Sequence, residues 1–335
     1  YIKKLFEVMG SESICEPSMY QCRGNRDMAY LLTFGDTPGS PERVDLANTK
    51  LMVFFGTHLG ENIHVSQLKE WIEGLSKGAK LIVIDPRFSI AASKADMWLP
   101  IRPGIDTALI LTWINYLINI QGYDKEFVSK CCNGFEELKE AVKHATVEWA
   151  ERITDIKAEQ IKKAADWMAK YKPHVVIHPG RHSTWYGIGD TQRARAMAIL
   201  TAILGAYGRK GSIFLSTPIK IGKYPCNIEK EDNEEEELLR DKWPFNLPGT
   251  PTADIIDATI TGSPYPIKAW VVWGQNTLQN TPNQNRTIKA MEKLEFLVVT
   301  DILPSPMTLY ADIILPEQTY LERYDVILVN KHNKT

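Results

Sequence analysis

The chain has 335 residues, 44% of them hydrophobic and 24% charged, which is enough for two α/β domains with full cores. Its formal net charge is −2, so there is no basic surplus to neutralise phosphates, and nucleic-acid binding is not expected. The longest apolar run, Ala108 to Ile120, is shorter than the roughly 20 residues of a membrane-spanning helix, and no direct membrane span is expected.

Residues 1–10 read as the end of a preceding segment, and 11–45 as a turn-rich stretch with clustered Cys, Pro, Arg and Asp. Residues 51–56 and 80–85 are β-branched and aromatic runs of strand length. Between them Val65, Leu68, Trp71, Ile72 and Leu75 have helical spacing, and Gly78 fits a helix stop. Residues 107–121 and 158–171 read as helices, the second amphipathic through Ile161, Ala164, Ala165 and Met168. His174 to Gly180 reads as a strand ending in a turn, and Thr191 to Leu204 as a helix that leaves through the glycine-rich Gly205 to Gly211. The acidic run 229–237 reads as a solvated surface insertion, and the Pro/Gly-rich 244–266 as a long connection. Strands alternating with helices predict an α/β fold of two parallel-sheet, Rossmann-like domains with right-handed crossovers. The expected division is a first dinucleotide-binding domain over 11–178, a second over 179–325, and the start of a truncated segment over 326–335. A chain that begins at Tyr1 and ends in polar sequence reads as an internal piece of a longer protein.

One pattern occurs twice. Leu51–Gly56, Leu81–Asp85 and Ala95-Asp96 to Pro100 form the first copy; Val271–Gly274, Leu297–Asp301 and Ala311-Asp312 to Pro316 form the second. Glycine to strand-end aspartate is 29 residues in one copy and 27 in the other, and that aspartate to the next is 11 in both. Each copy reads as strand, Gly-turn, helix, strand ending in Asp, then a short strand. Ligands of such sheets lie beyond the carboxyl ends of the strands. Gly56 and Gly274 suit turns in which backbone amides approach a phosphate. Asp85 and Asp301 suit a ribose diol or a guanine edge, with a helix cap or an Asp85–Arg87 ion pair as the structural alternative. Asp106 is a second candidate for base recognition, or an N-cap of the helix that follows it.

The segment Gly180-Arg181-His182-Ser-Thr-Trp185-Tyr-Gly187-Ile-Gly189-Asp190 is a candidate catalytic loop, or a loop anchored by its aromatic pair. Arg181 suits holding an anion and His182 suits donating a proton. The five cysteines, Cys15, Cys22, Cys131, Cys132 and Cys226, form no C-x-x-C. They indicate neither a disulfide framework nor a zinc or iron–sulfur signature. Cys15 or Cys22 suits a soft-metal ligand, and either is otherwise an inert thiol.

These residues together resemble the molybdopterin-guanine-dinucleotide oxidoreductases of the dimethyl sulfoxide reductase family. The resemblance is carried by Asp85-Pro-Arg87, by Arg102-Pro-Gly-Ile-Asp106, by Trp273-Gly-Gln-Asn276, by Leu297–Asp301 with Ala311–Pro316 and Glu322, and by Arg193 to Gly211. It covers roughly residues 11 to 325. It implies a bis(molybdopterin guanine dinucleotide) cofactor with Mo or W, each guanosine end held by one α/β domain. Gly56, Asn62, Asp85, Arg87 and Asp106 then serve one dinucleotide. Trp273, Gly274, Asn276 and Asp301 serve the other, and Trp185 and Gly187 join the cofactor-binding set. The metal ligand implied by Gly10-Ser-Glu-Ser-Ile-Cys15 is Cys15; counting back from Phe34-Gly35 favours Cys22 instead.

Gly60 to His64, His178 to His182 and Trp185 to Gly187 look most like the catalytic subunits of thiosulfate, polysulfide or tetrathionate reductases. Formate dehydrogenases usually carry His after the metal's Cys, where this chain has Glu16 or Arg23. The resemblance thus implies two-electron reduction of a small anionic sulfur compound, with Arg181 and His182 stabilising the departing charge. It implies a 4Fe-4S cluster in a preceding domain, an iron–sulfur electron-transfer subunit and a membrane anchor subunit, and a periplasmic or outer membrane face. The rival expectations are a hydratase, hydroxytransferase or other oxyanion reductase on the same cofactor, and a cofactor-free scaffold subunit of a respiratory complex.

Overall fold

The structure is a computed structural model that describes residues 5–6, 8–11, 13–16, 19–40, 42–57, 59–61, 65–180, 189–214 and 250–324. They divide into two compact units, one within Arg23–Ile219, the other drawn from Tyr1–Cys22 and Lys220–Val329.

The first unit is built on a four-stranded parallel sheet of order β3-β2-β1-β4. Its strands are β1 (Leu51–Phe55), β2 (Lys80–Ile84), β3 (Met97–Leu99) and β4 (Val175–Ile177). Because successive side chains alternate faces, Leu51, Val53, Phe55, Ile82 and Ile84 enter one core with Leu109, Trp113 and Ile161. Met52, Phe54, Leu81 and Val83 enter the other with Tyr30 and Trp71. A sheet buried on both faces needs the continuous apolar strands seen here. Its helices are α1 (Gly24–Phe34), α2 (Val65–Ser76), α3 (Ile90–Ser93), α4 (Asp106–Asn119), α5 (Lys125–Cys131), α6 (Phe135–Val142), α7 (Val147–Thr154), α8 (Ala158–Tyr171) and α9 (Asp190–Ile203).

The second unit carries a three-stranded parallel sheet, β5 (Ala269–Trp273), β6 (Phe296–Asp301) and β7 (Ile313–Pro316), in the order β5-β6-β7. Helices α10 (Thr252–Thr261), α11 (Thr277–Asn280) and α12 (Gln284–Met291) belong to it. Ile256, Trp270, Val272, Ala290, Leu297 and Val299 form its core.

Three findings depart from the sequence reading. The unit boundaries fall after Cys22 and after Ile219 rather than at 178/179, because α9 packs on α1, α4 and β4 of the first sheet. The stretch 11–45 contains an eleven-residue helix, α1, whose buried residues Gly24, Arg26, Asp27, Ala29 and Tyr30 make no apolar stripe. The connection 244–266 contains α10, opened by Pro251 at its N-cap and closed by Gly262 at φ 73°.

The duplicated pattern is one construction built twice. The register of β2 on β3 pairs Ile82 with Met97, and that of β6 on β7 pairs Val298 with Ile313. In both copies the aspartate before the last strand closes the start of the middle one. Asp96 Oδ2 accepts the Leu81 N–H at 3.0 Å, and Asp312 Oδ2 accepts the Leu297 N–H at 2.7 Å. These carboxylates supply an acceptor that the short third strand does not reach. Asp96→Ala and Asp312→Ala should each leave that N–H unpaired and destabilise the protein by about 1–3 kcal/mol. Thermal unfolding of the full-length protein measures this, and Asp→Asn, which keeps an acceptor oxygen, should recover part of the loss.

Candidate functional site

The carboxyl ends of both sheets are shaped by a matching backbone turn. The Gly56 N–H donates to Ile84 O at 2.9 Å, and the Gly274 N–H donates to Thr300 O at 2.9 Å. Each acceptor is the residue just before a strand-end aspartate. The glycines lie at φ 53° and 60°, the left-handed region in which a side chain is strained. A Cβ on Gly274 would meet nothing within 4 Å, so the space above this turn is open.

At the first sheet, Asp85 is buried, and its Oδ1 accepts the Arg87 N–H at 2.9 Å because Pro86 has no N–H to offer. The Trp98 indole N–H donates to Asp85 O at 2.9 Å. The Arg87 guanidinium pairs with Glu61 at 2.6 Å, so the expected Asp85–Arg87 side-chain ion pair gives way to a backbone contact. Glu61 also accepts the Ile90 N–H at 2.9 Å. Asp106 is the first residue of α4, with Ile105 at the N-cap; it is buried at the positive end of the helix rather than capping it. Burial pushes its carboxyl above the usual range, Arg193 pulls against this, and Asp190 and Asp85 add to the rise. Arg193 is itself held by buried Asp190 at 2.7 Å.

At the second sheet, Asp301 Oδ1 accepts the Ile302 N–H at 2.7 Å. Glu317 ties this strand end to the Trp-Gly loop. Its N–H donates to Asp301 O at 3.0 Å, and its Oε2 accepts the Trp273 indole N–H at 2.6 Å. Asn276 opens α11, its C=O accepting from Gln279 and Asn280. Its side-chain Oδ1 is buried without a hydrogen-bond partner among the described residues. An orphaned acceptor beside an open glycine turn and a strand-end carboxylate suits a ligand with N–H and O–H donors, such as a nucleoside.

The same unit holds a cavity of about 520 Å³ lined by Ser13, Cys15, Thr252, Tyr265, Trp273 and Gln275 among others. The segment carrying Cys15 is fastened to distant sequence. The Thr250 N–H donates to Ile14 O at 3.0 Å, Ser13 Oγ lies 2.5 Å from Tyr265 Oη, and Cys15 Sγ lies 2.8 Å from Thr252 Oγ1. Burial pushes the Cys15 thiol up, Thr252 opposes this, and Glu16 adds to the rise. The thiol therefore stays protonated near neutrality unless a cation takes the proton's place. Cys22 lies in the π-helical turn Met19–Arg23 and is not among the cavity's lining residues. No group of three or more His, Cys, Asp or Glu side chains is gathered around a metal position among the described residues.

The structure thus places Gly56, Asp85 and Arg87 at the carboxyl ends of the first sheet, with Asp106 near enough to Asp85 to feel its charge. It brings Trp273, Gly274, Asn276 and Asp301, with Cys15 on the neighbouring cavity wall, to the second. Asn62, Arg181, His182, Trp185 and Gly187 lie outside the described residues. Glu61, Glu317 and Thr252 join these groups without having been given a role from the sequence, and Asp190, the end of the candidate loop segment, holds Arg193. Glu317 directly follows the repeat's terminal proline, where the first copy has Ile101, an asymmetry visible only once the copies are superposed. The open turn at Gly274, the Asn276 acceptor without a partner among the described residues and the Cys15 thiol on the cavity wall fit a nucleotide-bearing metal cofactor.

The family description "Molybdopterin oxidoreductase" matches residues 1–333. The chain is 34% identical over 300 residues to the thiosulfate reductase molybdopterin-containing subunit PhsA of Salmonella typhimurium, covering 85% of this chain and 39% of that protein. It is 31% identical over 353 residues to acetylene hydratase of Syntrophotalea acetylenica, covering 96% of this chain and 47% of that one. Among solved structures, acetylene hydratase from Pelobacter acetylenicus superposes with a TM-score of 0.79 at 28% identity, covering 96% of this chain and 48% of that chain. The chain thus spans less than half the length of these relatives. Its duplicated half-sites, its thiol-bearing cavity and these matches place it in the molybdopterin oxidoreductase family.

Proposed function

We propose that this chain is the cofactor-gripping part of a molybdenum or tungsten reductase that acts on a small anionic sulfur compound: thiosulfate, polysulfide or tetrathionate. The observation that carries the reading is the Cys15 thiol on a cavity wall shared with Trp273 and Gln275 of the Trp-Gly-Gln-Asn loop. It gives a soft-metal ligand beside a nucleotide-type turn. The likeness to the thiosulfate reductase subunit supports the substrate class. A 4Fe-4S domain, an iron–sulfur partner subunit, a membrane anchor subunit and a periplasmic face belong to the same proposal. No helix among the described residues is long and apolar enough to cross a membrane.

When bound, the pterin-held metal supplies two-electron redox chemistry. The residues of this chain orient it and set the field around it. Asp85 and Asp106 would receive donors of one guanosine end. Asp301 and Asn276 would receive those of the other, with Gly56 and Gly274 leaving room for phosphates. Cys15 would hold the metal as a thiolate, its proton released to solvent, and the Thr252 hydroxyl, 2.8 Å from Sγ, would donate to that thiolate. Arg181 holds the anionic substrate, and His182 gives a proton to the departing sulfur or sulfite oxygen. A second reading, hydration without net redox change, is favoured by the structural likeness to acetylene hydratase. Turnover of thiosulfate or tetrathionate with reduced viologen, set against acetylene hydration, separates the two.

Arg181→Ala should lower reductase turnover about 10²–10³-fold with metal content intact; loss of the metal would make the residue structural. Cys15→Ala should abolish turnover while Cys22→Ala spares it, and the reverse outcome would move the ligand to Cys22.

Asp106 separates binding from stability. Its carboxyl is raised in the folded protein, so the folded state holds its proton more tightly than the unfolded chain. The group's contribution to stability is therefore full below the ordinary aspartate range, near 4, and is lost as pH rises through the raised folded value. Asp106→Asn should thus flatten the melting-temperature profile in that window without lowering it at pH 7, while nucleotide content falls. A lower melting temperature at every pH would assign Asp106 to holding α4.

A further inference from the structure

The first unit holds a closed ring of buried polar side chains that none of the foregoing roles uses. Arg26, on α1, is fully buried, and all five of its N–H donors are taken. Nε and Nη2 donate to Asp27 Oδ1 at 2.9 and 2.7 Å, Nη1 donates to Glu42 Oε1, Nη2 donates to Gly39 O at 2.9 Å, and Nη1 donates to Gly180 O at 2.7 Å. Glu42 is also buried. The Gln67 amide of α2 donates to Glu42 Oε2 at 3.3 Å and to Glu42 O at 3.0 Å. Gln67 Oε1 lies 3.2 Å from His178 Nε2, and His178 Nδ1 lies 3.1 Å from the Gly180 nitrogen. Because the Gly180 N–H donates to Nδ1, that nitrogen carries no proton. The imidazole is then the Nε2–H tautomer, donating to Gln67.

The path Arg26, Glu42, Gln67, His178, Gly180 therefore returns to Arg26. It holds the N–H and the C=O of one residue from opposite sides. Gly180 is the last described residue before Arg181. Two successive peptide units, the one before Gly180 through its N–H and the one after it through its C=O, are thus each held, and turning either breaks a buried bond, to the imidazole in the first and to a guanidinium in the second.

We propose that Arg26, Glu42, Gln67 and His178 are positioning residues that fix the backbone on both sides of Gly180 and through it act on the substrate role of Arg181, the next residue in the chain. The inference rests on the substrate role given above to Arg181. It places the control of substrate alignment in α1 and α2, which carry none of the candidate cofactor ligands. The ring is expensive to build, since it buries an arginine and a glutamate. Ordinary packing of β4 would be met by apolar side chains, so its cost points to orientation.

The test uses the full-length, cofactor-loaded protein. Gln67→Met keeps the volume, leaves both Arg26 ion pairs in place and opens the ring at its middle. Amide hydrogen exchange across 176–190 should rise at least about tenfold, with β1 and β2 unchanged. The kcat/KM for thiosulfate with reduced viologen should fall about 10–100-fold at constant metal content. In an Arg181→Ala background, Gln67→Met should then cost nothing further, because both changes act through the same contact. Unchanged exchange, or losses that simply multiply, would overturn the proposal. If Arg181→Ala alone leaves turnover intact, the reading of the loop fails, and hydrogen exchange still judges the clamp. Should Gln67→Met not assemble, the wild-type protein decides: the Gly180 amide must exchange as slowly as those of Val53 and His178, and loop-like exchange overturns the clamp.

Discussion

A backbone hydrogen bond from a strand-end glycine to the carbonyl before a strand-end aspartate governs both sheets. It turns the chain away at Gly56 and Gly274 while holding it against the neighbouring strand. The positive φ at each glycine sends the following residues clear of the strand ends. The aspartate one residue beyond the acceptor then stands at the rim with its second oxygen available to a ligand. Parallel strands end in register, so the crevice forms wherever this turn does. Asp85 and Asp301 stand at these strand ends, and Asp106 and Asn276 at the starts of the helices that follow nearby.

What surrounds the crevices differs between the copies, and the difference is physical. At the first, Pro86 forces Asp85 to accept from Arg87 two residues on, Arg87 turns to Glu61, and a second buried carboxylate, Asp106, sits under Arg193 and Asp190. At the second, Asp301 accepts from its immediate neighbour, and Glu317 joins it to Trp273. The second unit adds what the first lacks, a thiol on a cavity wall, because the segment around Ile14 is fastened to Thr250, Thr252 and Tyr265. The two strand ends thus share one turn and differ in what surrounds it: buried carboxylates and Arg193 at the first, and a cavity with a thiol on its wall at the second.

Much of this was legible in the sequence where periodicity and length speak directly. The strands at 51–55 and 80–84 and the helices at Val65–Ser76 and Ala158–Tyr171 stand where their apolar patterns put them. The equal spacing of Asp85 to Asp96 and Asp301 to Asp312 became an equal register of strands. Helix α1 was hidden because its buried face carries Arg26 and Asp27, whose burial is made tolerable by partners up to 154 positions away. Pattern reading prices a buried charge as a surface residue and reads a loop. Helix α10 was passed over although Pro251 and Gly262 bracket it as helix ends do. Glu61, Glu317 and Thr252 were illegible for another reason: each matters through a contact between segments that local spacing does not encode.

The proposal at stake is that each of the two strand-end turns receives one guanine nucleotide of the metal cofactor. Acid-released guanine nucleotide, measured together with molybdenum and tungsten on the purified full-length protein, tests it most directly. The account predicts two guanine nucleotides for each metal atom. One or none per metal would show that the duplicated construction is a repeat of fold alone.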